Sequence, residues 1–362
     1  MREYILIIGG GILQIPLVEE AQKMNFNVIV SDWDAECACR ELADRFWEID
    51  VFDSTEHVEH ARILLKQESI QIVGCIAAGI DATETAWHVN TWIQLKTKGK
   101  HGYWISLAAT EICRDKYKFR QWQEEHGFNH PKYLLAGTGV RHFNDCIVKP
   151  IDNSGGRGNT KIILPSDVRN YLGALDYAIS QSKKGKGSEN AIIEELLSGK
   201  EYTVETIWEN GKMYPAFITD RYFKNNDKYA IEAGASHPSS LSTERQSELY
   251  SEMERLGNSL GMKYGPLKGD IMIVEEKCSE CEGSGRGILN VHNRDRSITK
   301  VTMIYDLPNT DMKCKSCKGT GKDNKIYILE TTTRYSGGFD CQYLVPLATG
   351  KNILRAAIQS NV

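Results

Sequence analysis

A chain of 362 residues, 41% hydrophobic and 25% charged, can bury a core large enough for roughly two or three lobes. Its 44 Lys/Arg against 48 Asp/Glu give a net charge of -4, which excludes a global field drawing it to nucleic acid or an anionic membrane. No segment approaches the ~18 uninterrupted apolar residues of a membrane span, so a soluble protein is expected.

The opening "EYILIIGGG" reads as a buried strand running into a glycine turn; no small-residue cleavage site follows it. "IPLVEEAQKMNF" reads as a helix and "NVIVSDWD" as a second strand. "DRFWEIDVFD", the helix "STEHVEHARILLKQ" and "IQIVGCIAAG" continue the alternation. Strands alternating with helices imply a parallel sheet covered on both faces, assigned to residues 1–112. Gly9, Gly10 and Gly11 suit either a phosphate cradle of a dinucleotide fold or a tight strand-to-helix turn. Asp32 stands where a ribose-binding acid belongs, but Gln14 takes the place of the third glycine.

The next region changes rhythm. "DKYKFRQWQEEHGF" is a helix closed by Gly127, and "CIVKPIDNSGGRGNTKIIL" is strand, glycine turn, strand. Lys149 precedes the glycines and no helix follows them, which excludes a Walker A loop. The tip, with Ser154, Gly155, Gly156 and Gly158, offers backbone N–H groups to phosphate oxygens or is an ordinary mobile hairpin. Further on, Asp270 lies in the apolar strand "GDIMIV" and Glu330 ends the apolar strand "IYILE". On neighbouring antiparallel strands two such acids share a face, repel, and call for a cation between them. His237, before Pro238 and a run of serines, reads as structural or solvent-facing, with a weaker reading as a substrate-site group.

Ten cysteines fall into two groups: Cys278, Cys281, Cys314 and Cys317 in two Cys-x-x-Cys pairs, and six without framework spacing. Such usage suits a reducing compartment, so a cytoplasmic location is expected. "CSECEGSGRG" and "CKSCKGTGKD" repeat one pattern, Cys-x-x-Cys-x-Gly-x-Gly. A two-residue gap lets both thiolates of a pair reach one ion, and four thiolates make a closed tetrahedral zinc site. A redox-active pair is the rival reading.

"IVKPIDNSGGRG", "AIIEELLSGKEYTVET", "GDIMI" and "IYILETTTRYSGG", in that order, resemble the ATP-grasp superfamily. The start, with "GGGILQIPL", "SDWDAE" and "ELADRFWEIDVFD", resembles the domain that precedes the module in those ligases. The resemblance implies an α/β chain with a parallel-sheet pre-ATP-grasp domain (1–112), a small lobe with the glycine hairpin (113–197) and a large lobe (198–362). A zinc-binding insertion, 277–325, interrupts the last. It implies that Lys116 and Lys149 hold ATP phosphates, with Lys118 competing for the first role. Glu194, Glu195 and Leu197 would form the hinge against adenine, and Glu201 would take the ribose hydroxyls. Asp270 and Glu330 would bind Mg2+, and Arg334 would orient the substrate carboxylate or acyl-phosphate. Asp270 stands where many members carry Glu, and Thr332 where many carry Asn.

The expected activity is ADP-forming ligation of a small-molecule carboxylate to an amine through an acyl-phosphate. Rivals are a carboxyphosphate-forming carboxylase, a nicotinamide-dependent oxidoreductase and a noncatalytic zinc-dependent peptide-binding protein. The Cys-Gly repeat also resembles half of the cysteine-rich domain of DnaJ-type chaperones. With ten Lys/Arg against six Asp/Glu, the insertion is mildly basic, suited to an acidic substrate, a peptide or carrier partner, or a homodimer contact.

Overall fold

The computed structural model describes residues 2–67, 70–97, 105–138, 143, 145–153, 155–163, 168–184, 190–224, 228–281, 314, 317, 320–337 and 339–360. Its first unit alternates as the sequence reading expects: β1 (Arg2–Ile8), α1 (Ile15–Lys23), β2 (Asn27–Asp32), β3 (Arg45–Glu48), α2 (Ser54–Gln67), β4 (Ile70–Ala77) and α3 (Thr83–Thr97). The strands form a parallel sheet in the order β3-β2-β1-β4. Strand alternation sends Ile5 and Ile7 to one face, against Leu17 and Val18 of α1. Tyr4, Leu6 and Ile8 go to the other, against Ala61 of α2 and Val89 of α3. Each aliphatic side chain buried this way contributes about 1.5–3 kcal/mol.

α4 (Leu107–Arg114) and α5 (Lys116–Glu125) follow, the latter capped by the Asp115 side chain at the Lys118 N–H. A second, antiparallel sheet is built from β5 (Tyr133–Leu135), β6 (Asp145–Pro150), β7 (Thr160–Ile163) and, after α6 (Val168–Lys184), β8 (Ala191–Glu195). Its order is β5-β8-β6-β7, and Ala174 and Ala178 of α6 cover one face.

The third sheet runs β11-β10-β9-β12-β13 and is antiparallel. It comprises β9 (Lys200–Glu209), β10 (Lys212–Phe223), β11 (Glu232–Ser236), β12 (Gly265–Lys277) and β13 (Lys322–Thr332), with α7 (Thr243–Leu260) between β11 and β12. Tyr202, Val204, Ile271 and Ile328 face Leu249, Met253 and Leu256 of α7. The opposite face carries the polar half of the same alternation.

Two features exceed what apolar patterning shows. The β12–β13 ladder continues to Lys277 opposite Lys322, so residues 322–325 at the end of the expected insertion are strand. Cross-strand ion pairs, Lys322–Glu275 at 2.8 Å and Lys325–Glu276 at 2.6 Å, accompany this charged stretch. The closing helices α8 (Val345–Thr349) and α9 (Ile353–Gln359) do not extend the third sheet. Val345, Leu354 and Ile358 instead complete the core beside Ile5 and Leu17 of the first.

Candidate active site

The polar face of the third sheet is set by register. Asp270 lies opposite Glu330 on β13 and opposite Thr203 on β9, while Lys268 faces Glu205 and Met272 faces Glu201. Residues directly opposite on antiparallel strands point to the same side with Cβ atoms about 4.5–5.5 Å apart. A register shift between Asp270 and Ile271 leaves Leu329 as an extra residue on β13. Leu329 packs beside Met272, Val274 and Tyr327, yet both it and its neighbour Glu330 line a small recess next to the main cavity. The carbonyls of the bulge are held from α5: Arg120 Nη2 donates to Leu329 O at 2.7 Å and Gln123 Nε2 to Ile328 O at 3.0 Å.

The cavity has a volume of about 760 Å³ and lies among all three sheets. Gly79–Asp81 after β4, Asn153 and Gly155 of the glycine hairpin, and Arg221, Asp270 and Glu330 of the third sheet border it. A smaller recess holds Lys116 beside Asp270 and Glu330. Lys116 Nζ donates to Asn153 O at 2.7 Å and lies 3.5 Å from Glu330. Lys118 instead pairs with Glu111 at the surface, 3.2 Å away.

Charges inside are closely balanced. Asp270 accepts from Lys268 Nζ at 2.8 Å and from the Thr203 hydroxyl at 3.0 Å, and Arg221 is 3.3 Å away. Burial alone would raise its carboxyl, but these partners, Arg221 foremost, hold it well below the usual carboxylate range. Arg221 also reaches Glu201 at 3.3 Å and Glu232 at 3.0 Å. Burial pushes the Glu201 carboxyl up, opposed by Arg221 and, more weakly, by Lys149. Arg334 is buried at the cavity edge, its guanidinium donating to Asp81.

Lys149 points across the second sheet to Glu194, 2.8 Å away, whose other oxygen is 2.7 Å from Arg120. The neighbouring N–H groups of Glu195 and Leu196 donate to Lys132 O and Asp145 O. Leu197 packs with Met272, Val274 and Tyr327, forming an apolar wall next to Glu201 and the end of β8. Gly155 and Gly156 have φ of +65° and +70°, a backbone that favours glycine; Ser154 lies outside the described residues.

Other candidates fall elsewhere. Gly10 N–H donates to Asp32 Oδ2 at 2.7 Å, and Cys37 fills the space a side chain at Gly10 would need, so the glycine turn is closed by its own chain. The His237 ring bonds Ile218 O at 2.8 Å rather than the cavity. Sequence reasoning missed Arg221, Lys268, Glu205 and Asp340. Glu205 lies in the quoted stretch "AIIEELLSGKEYTVET" and Lys268 just before "GDIMIV", whereas β10, which carries Arg221, is not among the strands read from the sequence; the alternating period of these segments was the available signal.

At the far end of the hairpin, the Sγ atoms of Cys278, Cys281, Cys314 and Cys317 all lie within 4.8 Å of one another and are buried. Cys278 and Cys314 are 3.8 Å apart, Cys281 and Cys317 3.6 Å. Tetrahedral zinc with Zn–S of about 2.3 Å requires sulfur separations of about 3.8 Å. Gly321 N–H donates to Cys317 Sγ at 3.2 Å, and Cys278 N–H to Gly321 O at 2.9 Å, so this cluster closes the ladder. Residues 282–313 of the insertion lie outside the described residues.

A parallel-sheet unit and two antiparallel sheets enclosing such a cavity make the ATP-grasp fold. In agreement, residues 142–286 match the family model of the ATP-grasp domain. Over its full length the chain superposes on the L-amino acid ligase of Bacillus licheniformis with a TM-score of 0.65, 16% identity and 74% of that chain covered. It superposes on the phosphoribosylglycinamide synthetase of Anaerococcus prevotii with a TM-score of 0.61, again at 16% identity and full length, covering 76% of that chain. In sequence it is 27% identical over 193 residues to the formate-dependent phosphoribosylglycinamide formyltransferase of Maridesulfovibrio salexigens, 51% of this chain and 45% of that one. The enzyme of the same name from Methanococcus vannielii is 27% identical over 202 residues, 54% of this chain and 48% of that one. The chain thus spans about half the length of the curated relatives it matches.

Proposed function

We propose that the chain is an ADP-forming ligase that activates a small-molecule carboxylate with ATP and joins it to an amine. The observation that carries this reading is the facing pair Asp270 and Glu330, which lines one cavity with Lys116 and Arg334. Two oxygen-donor groups on one face, balanced at present by Lys268, Arg221 and Lys116, suit a hard divalent cation. Magnesium bound there with the nucleotide would neutralise phosphate charge.

The remaining residues divide the work. The wall of Leu197, Met272 and Tyr327, beside the backbone at Glu194 and Glu195, would receive adenine, and Glu201 the ribose. Lys116, Lys149 and the Gly155–Gly156 turn would hold phosphates, since ammonium groups and open backbone amides both donate to them. Arg334 would fix the carboxylate. The γ-phosphoryl group passes to the carboxylate oxygen; the amine nitrogen then forms the C–N bond as the C–O bond to phosphate breaks, releasing phosphate and a proton. The proposed division places the parallel-sheet domain at 1–112, the small lobe at 113–197 and the large lobe at 198–362, with Zn2+ on the four cysteines. Ten free cysteines suit a reducing, cytoplasmic setting.

The test screens carboxylate and amine mixtures for ADP release, with hydroxylamine to trap an activated acyl group as its hydroxamate and bicarbonate as a separate arm. Glu330→Gln should reduce turnover by about 10²-fold or more while unfolding remains cooperative. Full activity in that variant, or ADP release dependent only on bicarbonate, rejects the proposal.

A further inference from the structure

Asp340 is a buried carboxylate, 8% exposed, that borders the main cavity together with Arg334 and Ser336. It opens a short π-helical turn, Asp340–Leu344. Among the described residues its side chain makes no hydrogen bond or ion pair. The nearby cations are committed elsewhere: Lys268 is 2.8 Å from Asp270, and Arg221 is shared among Glu201, Glu232 and Asp270. A buried carboxylate without a partner is costly unless something cationic meets it.

On its other side Asp340 borders a second, open groove of about 340 Å³, lined by Phe339, Tyr343, Leu344 and Leu347. Leu347 is 84% exposed and Tyr343 47%, an unusual outlay of large apolar groups beside an ionisable one. Asp340 therefore borders both the polar cavity and the apolar groove.

We infer that Asp340 receives the ammonium group of the amine substrate, and that the Phe339–Leu347 groove takes an aliphatic or aromatic substituent of that amine. The substrate class is a primary amine with an apolar tail, entering with its nitrogen toward Arg334. This rests on the ligation reading above and adds the amine's identity to it. The electrostatics agree: burial pushes the Asp340 carboxyl up to about 6, Glu232 and Asp270 adding to the rise while Lys268 and Arg221 oppose it. A bound ammonium supplies the missing positive charge.

Calorimetric titration of the full chain with 2-phenylethylamine, 2-phenylethanol and methylamine separates the two contributions. Phenylethylamine should bind about tenfold or more tightly than either partial mimic. Asp340→Asn should erase its advantage over the alcohol, and Leu347→Ser should weaken it about threefold with methylamine unaffected. Equal binding of amine and alcohol by the wild type overturns the inference, whether or not the Asp340 variant folds; so does an unchanged amine preference in a folded Asp340→Asn. A thermal shift with MgATP, measured alongside, tests the nucleotide site separately: its absence from the wild type would end the ligation reading and leave the amine comparison standing.

Discussion

Lys149 Nζ and Glu194 Oε2 meet 2.8 Å apart between β6 and β8, with Arg120 on the second oxygen of the same carboxylate. Arg120 also binds the carbonyl of Leu329 in the β13 bulge that precedes Glu330. One buried carboxylate thereby ties a proposed phosphate lysine of the small sheet to the strand bearing a proposed metal ligand. Closure of one sheet against the other is supported through α5, the element from which Arg120 arises.

This triad predicts a pH signature. Burial opposes ionisation of Glu194, but Arg120 and Lys149 prevail and bring its carboxyl down to about 2 from 4.5. A depressed carboxyl contributes stability above its unfolded value and loses it as pH falls through its folded value. Urea unfolding of the wild type should weaken by on the order of 3 kcal/mol between about pH 5 and 2 from this group alone. Glu194→Gln should be about 3–5 kcal/mol less stable at pH 7, where two buried cations lose their anion. Its slope over that acid window should flatten. A variant as stable as the parent at neutral pH would contradict the triad's role.

The four-cysteine cluster makes a second prediction. The purified chain should carry about one zinc per molecule by elemental analysis, and cobalt substituted for it should give the absorption of a tetrahedral thiolate site. Because thiolate–zinc bonding supplies about 10–16 kcal/mol in small peptides, Cys281→Ser should release the metal and expose the 275–325 region to proteolysis. The remainder of the chain should still unfold cooperatively, since its cores lie in the other clusters. A metal-free wild type with four titratable thiols and no cobalt spectrum would defeat the assignment.

What the sequence disclosed follows from period and repetition. Apolar runs at β1, β2 and β4 announced a sheet buried on both faces, and the doubled Cys-x-x-Cys-x-Gly-x-Gly announced four converging thiols across a gap that periodicity cannot bridge. Asp270 stood out because it lies within an apolar strand and Glu330 because it ends one. Lys268, Arg221 and Glu205 did not, since alternating polar residues on a half-buried strand look the same facing water as facing a cavity. The destination of α8 and α9 was hidden for a related reason: an amphipathic helix declares that one face is covered and not by what. Asp340 gave no sign because its burial depends on how the segment between β13 and the closing helices packs.

Glu205 supplies the third prediction, with the opposite sign from Glu194. It is fully buried on β9 and accepts from the backbone N–H of Ser336 at 3.0 Å and from its hydroxyl at 2.7 Å. Burial raises its carboxyl to about 7; the Ser336 bonds and Lys268 oppose the rise and Asp340 adds to it. A carboxyl raised in the fold contributes its stability in full below its unfolded value near 4.5 and loses it as pH climbs through about 7. Wild-type stability should therefore fall between pH 5 and 8 by on the order of 3 kcal/mol from this residue. Glu205→Gln keeps an acceptor and a donor for Ser336 and removes the charge, so it should match the parent near pH 5 and exceed it at pH 8. Asp340, raised to about 6, titrates in an overlapping range, so the comparison belongs in an Asp340→Asn background as well. If Glu205→Gln is the less stable protein at pH 8 in both backgrounds, the carboxylate is ionised in the fold and its contact with Ser336 holds the Arg334 segment as a charged bond instead.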